Sequence, residues 1–314
     1  MKKIKSIILL SLLTVLLISC QNITQQQNIF ESGKLKVVTS FTILEDMVKA
    51  IGQDLVSVYN LVPTGTAPHE YEPLPLDNKA VTEAELLIYN GLNLEGGHEG
   101  WFFKLVRSSR KNLDEVFQVS DGITPMYLRA GEKDEQINPH AFLDPEVGII
   151  MTNNILKILS EIDPGNQVSY QRNAQQYLSE LHMISTTYQE KISALSPSQK
   201  VFVASQHAFQ YMTERYGLTH YYIWEIDTDE IGSPQQIREL IDQLNKTRPP
   251  VLFVESNVQT KPMEQVSKET GIPIFSKKIY ADEIGKAGSE VDTYLKFLTH
   301  NLNVIIEGLT SGGN

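Results

Sequence analysis

Residues 166–195, NQVSYQRNAQQYLSELHMISTTYQEKISAL, run for thirty positions without a glycine or proline. At about 1.5 Å per residue, such a stretch in helical form crosses a small domain from end to end. That is unusual for a loop and natural for a connecting helix. Asp163-Pro164-Gly165 stops whatever precedes it, and Pro197 breaks whatever follows. The chain therefore divides around this segment, and the residues on either side show what it connects.

Both flanks alternate short β-rich runs with helical ones. Before the connector, residues 35–40 (LKVVTS) form a buried strand pattern, and Ile43, Leu44, Met47, Val48 and Ile51 recur at helical spacing up to Gly52. Residues 55–62 are a second strand, 63–75 a Pro/Gly-rich loop, 85–90 a third strand ending at Gly91, and 147–162 a helix. After Pro197 the pattern gives strands at 200–204, 221–226, 250–254 and 272–275, with helices at 207–216, 234–247, 262–270 and 289–309. Repeated strand–helix units predict an α/β fold of mainly parallel sheets flanked by helices. The expected organisation is an N-terminal lobe over 35–165, a connecting helix over 166–197 and a C-terminal lobe over 198–314, with no internal sequence repeat.

The first nineteen residues are different in kind. Lys2, Lys3 and Lys5 precede an apolar run over 7–18, too short to span a bilayer comfortably but the length of a signal-peptide core. The run ends in Leu17-Ile18-Ser19-Cys20, and a single Cys after a small residue there resembles a bacterial lipobox, in which the Cys is acylated and becomes the new N-terminus. Residues 20–34, polar and Gln-rich, then read as a tether reaching on the order of 20 Å. The expected location is the extracytoplasmic face of the cell membrane, held by lipid on Cys20.

Charge and cysteine usage exclude several functions. The net charge is −11, and loss of the three leader lysines leaves 24 basic against 38 acidic residues, or −14. A surface of that sign repels phosphate backbones and anionic headgroups, so nucleic-acid binding is not expected; it favours cations. With Cys20 acylated no thiol remains for a disulfide, a zinc–thiolate site or a nucleophile. Any metal must be held by nitrogen and oxygen.

Ligands in folds of this kind bind beyond the carboxyl ends of the strands. Four positions there carry suitable chemistry: His69 in Pro68-His69-Glu70-Tyr71-Glu72-Pro73, His140 in Asn138-Pro139-His140, the pair Gln206-His207 after the strand at 200–204, and Asp282 after the last strand. Two come from each lobe. Imidazole plus carboxylate without thiolate is the donor set of a divalent first-row ion such as Mn²⁺, Fe²⁺ or Zn²⁺. Any one of these histidines alone would pass for a surface or capping residue; the four together at equivalent strand ends point to one site. His182, His220 and His300 lack such a setting and read as solvated; His98, after Glu95-Gly96-Gly97, could brush the cleft but lacks a partner pattern. Pro73 stands where a metalloprotease helix would need its second His after His69, and no nucleophile elbow, phosphate loop or dinucleotide fingerprint occurs.

These residues resemble the metal-ion substrate-binding lipoproteins of bacterial ABC importers, the manganese, iron and zinc class. The resemblance rests on the 68–73 block, Tyr89-Asn90-Gly91-Leu92-Asn93-Leu94-Glu95 with Trp101, the 138–145 block, Ala208-Phe209-Gln210-Tyr211, the 222–228 segment, Phe253-Val254-Glu255-Ser256 and Asp292-Thr293-Tyr294. It implies two α/β lobes bridged by one long rigid helix, with one metal ion between them on four side chains: His69, His140, Asp282 and the residue two before Ala208. That residue is Gln206, where manganese-type relatives usually have Glu and zinc-type ones His. His207 is one residue out of register and would serve only if the helix start shifted. A neutral amide leaves Asp282 as the sole anionic ligand, so Glu70 and Glu225 are candidates for a nearby compensating charge.

The resemblance implies a monomeric receptor that performs no chemistry and delivers its ion to an ABC permease. Residues 127–137 lack the His- and acid-rich loop usual in zinc-type relatives, which favours Mn²⁺, with Fe²⁺ next and a zinc-specific receptor as the alternative. A metal-dependent hydrolase, with water in the fourth position, is the rival from another class; a host-surface adhesin rests on family association alone.

Overall fold

The computed structural model describes residues 28–128, 136–226 and 233–311. The leader and Cys20 lie outside the described residues, as do parts of the 127–137 and 222–228 segments. No described helix is long and apolar enough to cross a membrane. Docking begins sooner than the expected tether allows: Phe30 is buried in the core, and the Glu31 N–H donates to Ser57 Oγ at 3.0 Å.

The N-terminal lobe is built on a four-stranded parallel sheet of β1 (Leu35–Phe41), β2 (Val56–Val62), β3 (Leu86–Tyr89) and β4 (Val116–Gln118), in the order β2-β1-β3-β4. Between them run α1 (Thr42–Gly52), α2 (Pro75–Glu83) and α3 (Trp101–Ser108). Val37 and Val38 are fully buried between layers, as a strand covered on both faces requires. Gly91, just past β3, has φ of +81°, a left-handed conformation that glycine adopts without a Cβ penalty.

α4 (Pro145–Ile162) follows with Pro145 at its first turn, and the Asp144 side chain caps it by accepting from the Glu146 N–H. The connecting helix α5 covers Gln167–Ser193. It buries Tyr170, Tyr177, Leu181, Tyr188 and Ile192 and exposes the intervening polar positions, the stripe of a helix laid against a core.

The C-terminal lobe pairs β5 (Val201–Val203) with β6 (Thr219–Tyr221) in parallel. Its sheet continues by shorter contacts: the Phe253 N–H donates to Val203 O, and single parallel bridges join Leu252 to Ile274 and Glu255 to Ile279. Helices α6 (Gln210–Tyr216), α7 (Pro234–Thr247), α8 (Lys261–Thr270) and α9 (Tyr294–Thr310) complete it.

Three sequence expectations shift. The runs at 250–254 and 272–275 pair only through isolated bridges. The strand expected at 221–226 is β6, placed earlier by its register with β5. The last helix begins at Tyr294 because the Thr293 side chain caps it, accepting from the Lys296 N–H. Helices α2 and α3 and strand β4 are additions.

One apolar core runs from Phe30 to Leu309 through both sheets, α5 and α9, and a smaller one packs α7 and α8 against the outer face of the C-terminal sheet. The large core crosses the boundary between lobes: buried Tyr294 donates to Phe142 O at 2.6 Å, and its own N–H bonds Asp46. Gly148 makes this packing possible, since a Cβ there would lie 2.6 Å from the Tyr294 hydroxyl.

Candidate metal centre

His69 lies in the loop after β2, and that loop is pinned on both sides. The Trp101 indole N–H donates to Pro68 O at 2.8 Å. Tyr71 packs edge-on against Trp101 and donates to Asp77, a buried carboxylate that also receives the Tyr59 hydroxyl and the Leu74 N–H. The His69 Nε2 atom is shielded from solvent and has no hydrogen-bond partner.

His140 opens a short 3-10 turn, His140–Leu143, and is fully buried. Asn138 fixes its ring. The Asn138 amide N–H₂ donates to His207 O and Gln210 Oε1, so its oxygen accepts from the His140 N–H at 3.1 Å and from ring Nδ1 at 2.9 Å. Holding the proton on Nδ1 leaves Nε2 as the ligating nitrogen.

That Nε2 stands 2.8 Å from Asp282 Oδ1, and His69 Nε2 stands 3.4 Å from the same oxygen. Burial pushes the His140 pKa below its ordinary value, outweighing the neighbouring carboxylate, so the ring favours its neutral form. Burial also opposes charge on Asp282, but the two imidazoles beside it outweigh that and hold its pKa well below the usual carboxylate range. A neutral imidazole with its lone pair on a carboxylate oxygen at that distance calls for a cation. Donor atoms of His69, His140 and Asp282 all lie within 4.8 Å of one another. An ion with ligands at about 2.1 Å sets neighbouring donors about 3.0–3.4 Å apart, so the three fit a metal with little adjustment.

Gln206 joins them from the end of β5. Its side chain is buried, and its amide nitrogen lies 3.3 Å from Asp282 Oδ2. Its backbone N–H and that of Ser205 donate to the carboxylate of Glu255, which is fully buried. Asn257 donates to Asp282 Oδ2 at 2.8 Å. The loop after Asp282 is tied across the cleft: the Ile284 N–H donates to Thr42 Oγ1, and the Gly65 N–H to the Glu283 carboxylate.

The four sequence-derived positions thus converge, two from each lobe. His207 does not join them. Its ring stacks on Tyr222 at 4.0 Å and faces His220, while its N–H bonds the carbonyls of Trp224 and Glu225. His220, expected to be solvated, is enclosed by Phe202, Phe209, His207 and Tyr222, and burial pushes its pKa well below the ordinary value. Glu70 is exposed; the acid buried beside the site is Glu255. The sequence had not marked Asn138, Asn257 or Glu255 as working residues, because an amide or acid that holds another side chain leaves no spacing of its own.

Residues 37–308 match the family described as zinc-uptake complex component A, periplasmic (ZnuA). The chain is 40% identical over 310 residues to the manganese ABC transporter substrate-binding lipoprotein PsaA of Streptococcus pneumoniae, covering 98% of this chain and 99% of that one. It is 42% identical over 311 residues to the iron ABC transporter substrate-binding lipoprotein MtsA of Streptococcus pyogenes, covering 98% and 99%. Among solved structures, the Mn-bound periplasmic metal-binding protein of Candidatus Liberibacter asiaticus superposes with a TM-score of 0.78 at 29% identity, covering 87% of this chain and 98% of that one. The periplasmic zinc-binding protein TroA of Treponema pallidum gives 0.79 at 26%, covering 88% and 99%.

Proposed function

The chain belongs to the ZnuA family, and from that premise we propose that it is the receptor of an ABC metal importer, which captures one divalent cation between its lobes and hands it to a membrane permease. It is a binding protein and not an enzyme. The ion is held by His69, His140, Gln206 and Asp282. The observation that carries this assignment is the meeting of two histidines and one carboxylate, drawn from both lobes, around a single buried point. Gln206 reaches the same carboxylate, and a half-turn of its amide presents Oε1 to the ion in place of the N–H₂ that now faces Asp282.

The preferred ion is Mn²⁺, with Fe²⁺ next. Two imidazoles and one carboxylate suit either, and relatives at about 40% identity are named for each. Zn²⁺ is the second reading, favoured by its place near the top of the affinity order at nitrogen/oxygen sites and by the zinc-binding neighbour. Lipid on Cys20 anchors the receptor at the extracytoplasmic face, and the acidic chain, at −14 once the leader lysines are gone, draws cations toward the cleft. Release follows small shifts of the strand-end loops, because coordination fails once donors from two lobes part.

The test is metal analysis of protein purified without added metal, with competitive titration of Mn²⁺, Fe²⁺ and Zn²⁺ on wild type, Gln206→Ala and His207→Ala. Loss of binding in Gln206→Ala but not in His207→Ala is the expected result. The reverse pattern would reassign the fourth ligand to His207, and preference for Zn²⁺ by the loaded protein would make this a zinc receptor.

A further inference from the structure

Asp282 divides its two oxygens between different neighbours. Oδ1 faces the histidines, at 2.8 Å from His140 and 3.4 Å from His69. Oδ2 faces two amides, at 2.8 Å from Asn257 and 3.3 Å from Gln206. When Gln206 turns its oxygen to the ion, as the binding assignment above requires, its N–H no longer holds Oδ2. Asn257 is then left holding that oxygen.

Resting on that assignment, we propose that Asn257 is a positioning residue that ties down Asp282 Oδ2, so that the carboxylate gives the cation one oxygen and the site closes with four donors. The Asn257 amide is bonded to one oxygen only, so a rocking motion that brought both carboxylate oxygens to the metal would break that bond. Its location supports the role. Asn257 follows Glu255, whose carboxylate holds the Ser205 and Gln206 N–H groups, so one short segment sets both ligands of the C-terminal lobe. Asn257 is itself exposed at the rim, so it acts on Asp282 without being part of the packed interior.

The consequence is selectivity through coordination number. Four donors in a closed set keep zinc competitive at a site whose proposed cargo is manganese, an ion that accepts more oxygen ligands and gains from a second carboxylate oxygen. Releasing Oδ2 should therefore move the preference toward Mn²⁺ and should show directly in the geometry around the ion.

Co²⁺ reports that geometry, because its visible d–d bands are intense in four-coordinate sites and weak in five- or six-coordinate ones. Wild type titrated with Co²⁺ alone is expected to give intense bands, and Asn257→Ala to give bands several-fold weaker. The ratio of Mn²⁺ to Zn²⁺ dissociation constants should fall about tenfold in the variant. Asn257→Leu, which keeps the branched shape and removes the donor, should do the same, with metal-free melting within about 0.5 kcal/mol of wild type as expected for a surface position. Identical wild-type and variant bands with an unchanged ratio, or weak bands in wild type itself, would overturn the role of Asn257 while leaving the receptor intact. Absence of any Co²⁺ binding by wild type would overturn the receptor assignment and this inference with it.

Discussion

His140 Nε2 and Asp282 Oδ1 lie 2.8 Å apart although 142 residues separate them in the chain and they belong to different lobes. Neither is free to turn away: Asn138 holds the imidazole from behind, and Asn257 holds the far oxygen of the carboxylate. The amide of Asn138 is therefore as important as the ligand it serves. Asn138→Ala is expected to weaken divalent-metal binding by about 10–100-fold, the usual effect of losing the partner that orients a ligating histidine. Isothermal titration with Mn²⁺ measures it, and an unchanged affinity would show that packing alone orients the ring.

Gln206→Glu should tighten binding. The substitution is nearly isosteric, keeps the backbone bond to Glu255, and adds the anionic charge a divalent ion lacks here. At least a tenfold gain, roughly 1.4 kcal/mol, is expected for Mn²⁺. The gain should be smaller if buried Glu255, close to the new charge, opposes it, and Glu255→Gln in the double variant reads that opposition.

Metal loading should raise thermal stability and chelation should remove the gain. Ion bound only by the folded state adds about 2.7 kcal/mol at a hundredfold excess over Kd. For a chain of this size that is a rise of about 4 °C in Tm, read by calorimetry before and after EDTA.

Asp46 makes stability depend on pH in a defined direction. Burial pushes its pKa up to about 6, although the Tyr294 N–H and Tyr177 hydroxyl oppose the shift. The folded state thus holds a proton that the unfolded state, with a pKa near 3.8, gives up earlier. Stability from this group falls as pH rises from about 4 to about 6, by up to about 3 kcal/mol, and levels off above. Asp46→Asn should flatten that slope in urea unfolding across the interval.

Gly148→Ala tests the seam between lobes. Alanine favours a helix by about 1 kcal/mol, but its methyl would press on the hydroxyl of fully buried Tyr294, which is bonded to Phe142 O. Overpacking of about 1–3 kcal/mol should win and lower Tm. An unchanged or higher Tm would mean that Tyr294 moves freely.

Much of this was legible in the chain. Glycine- and proline-free length announced α5, apolar spacing announced α1, α4, α7 and α8, and the positions just past strands gave all four converging side chains. What failed has physical reasons. Helix α2 carries Leu74 and Leu76 outward at its start, 59% and 50% exposed, so its apolar pattern does not trace its buried face. β4 has three residues, too few for an alternation to register. The runs at 250–254 and 272–275 have strand-like composition but meet only at single bridges. His207 and His220 look like solvent-facing or ligating histidines in one dimension; only packing shows His207 stacked on Tyr222 and His220 edge-on to the same ring, away from the metal donors.

The apolar interior shared by the two lobes limits how cargo can leave. Swinging the lobes apart as jaws would wet the aromatic seam around Phe41, Phe142, Tyr188 and Tyr294. Uncovering even about 400 Å² would cost about 10 kcal/mol at about 25 cal/mol per Å², far beyond ordinary thermal excursions. The release proposed above, by small shifts of the strand-end loops at the rim, would leave that seam dry.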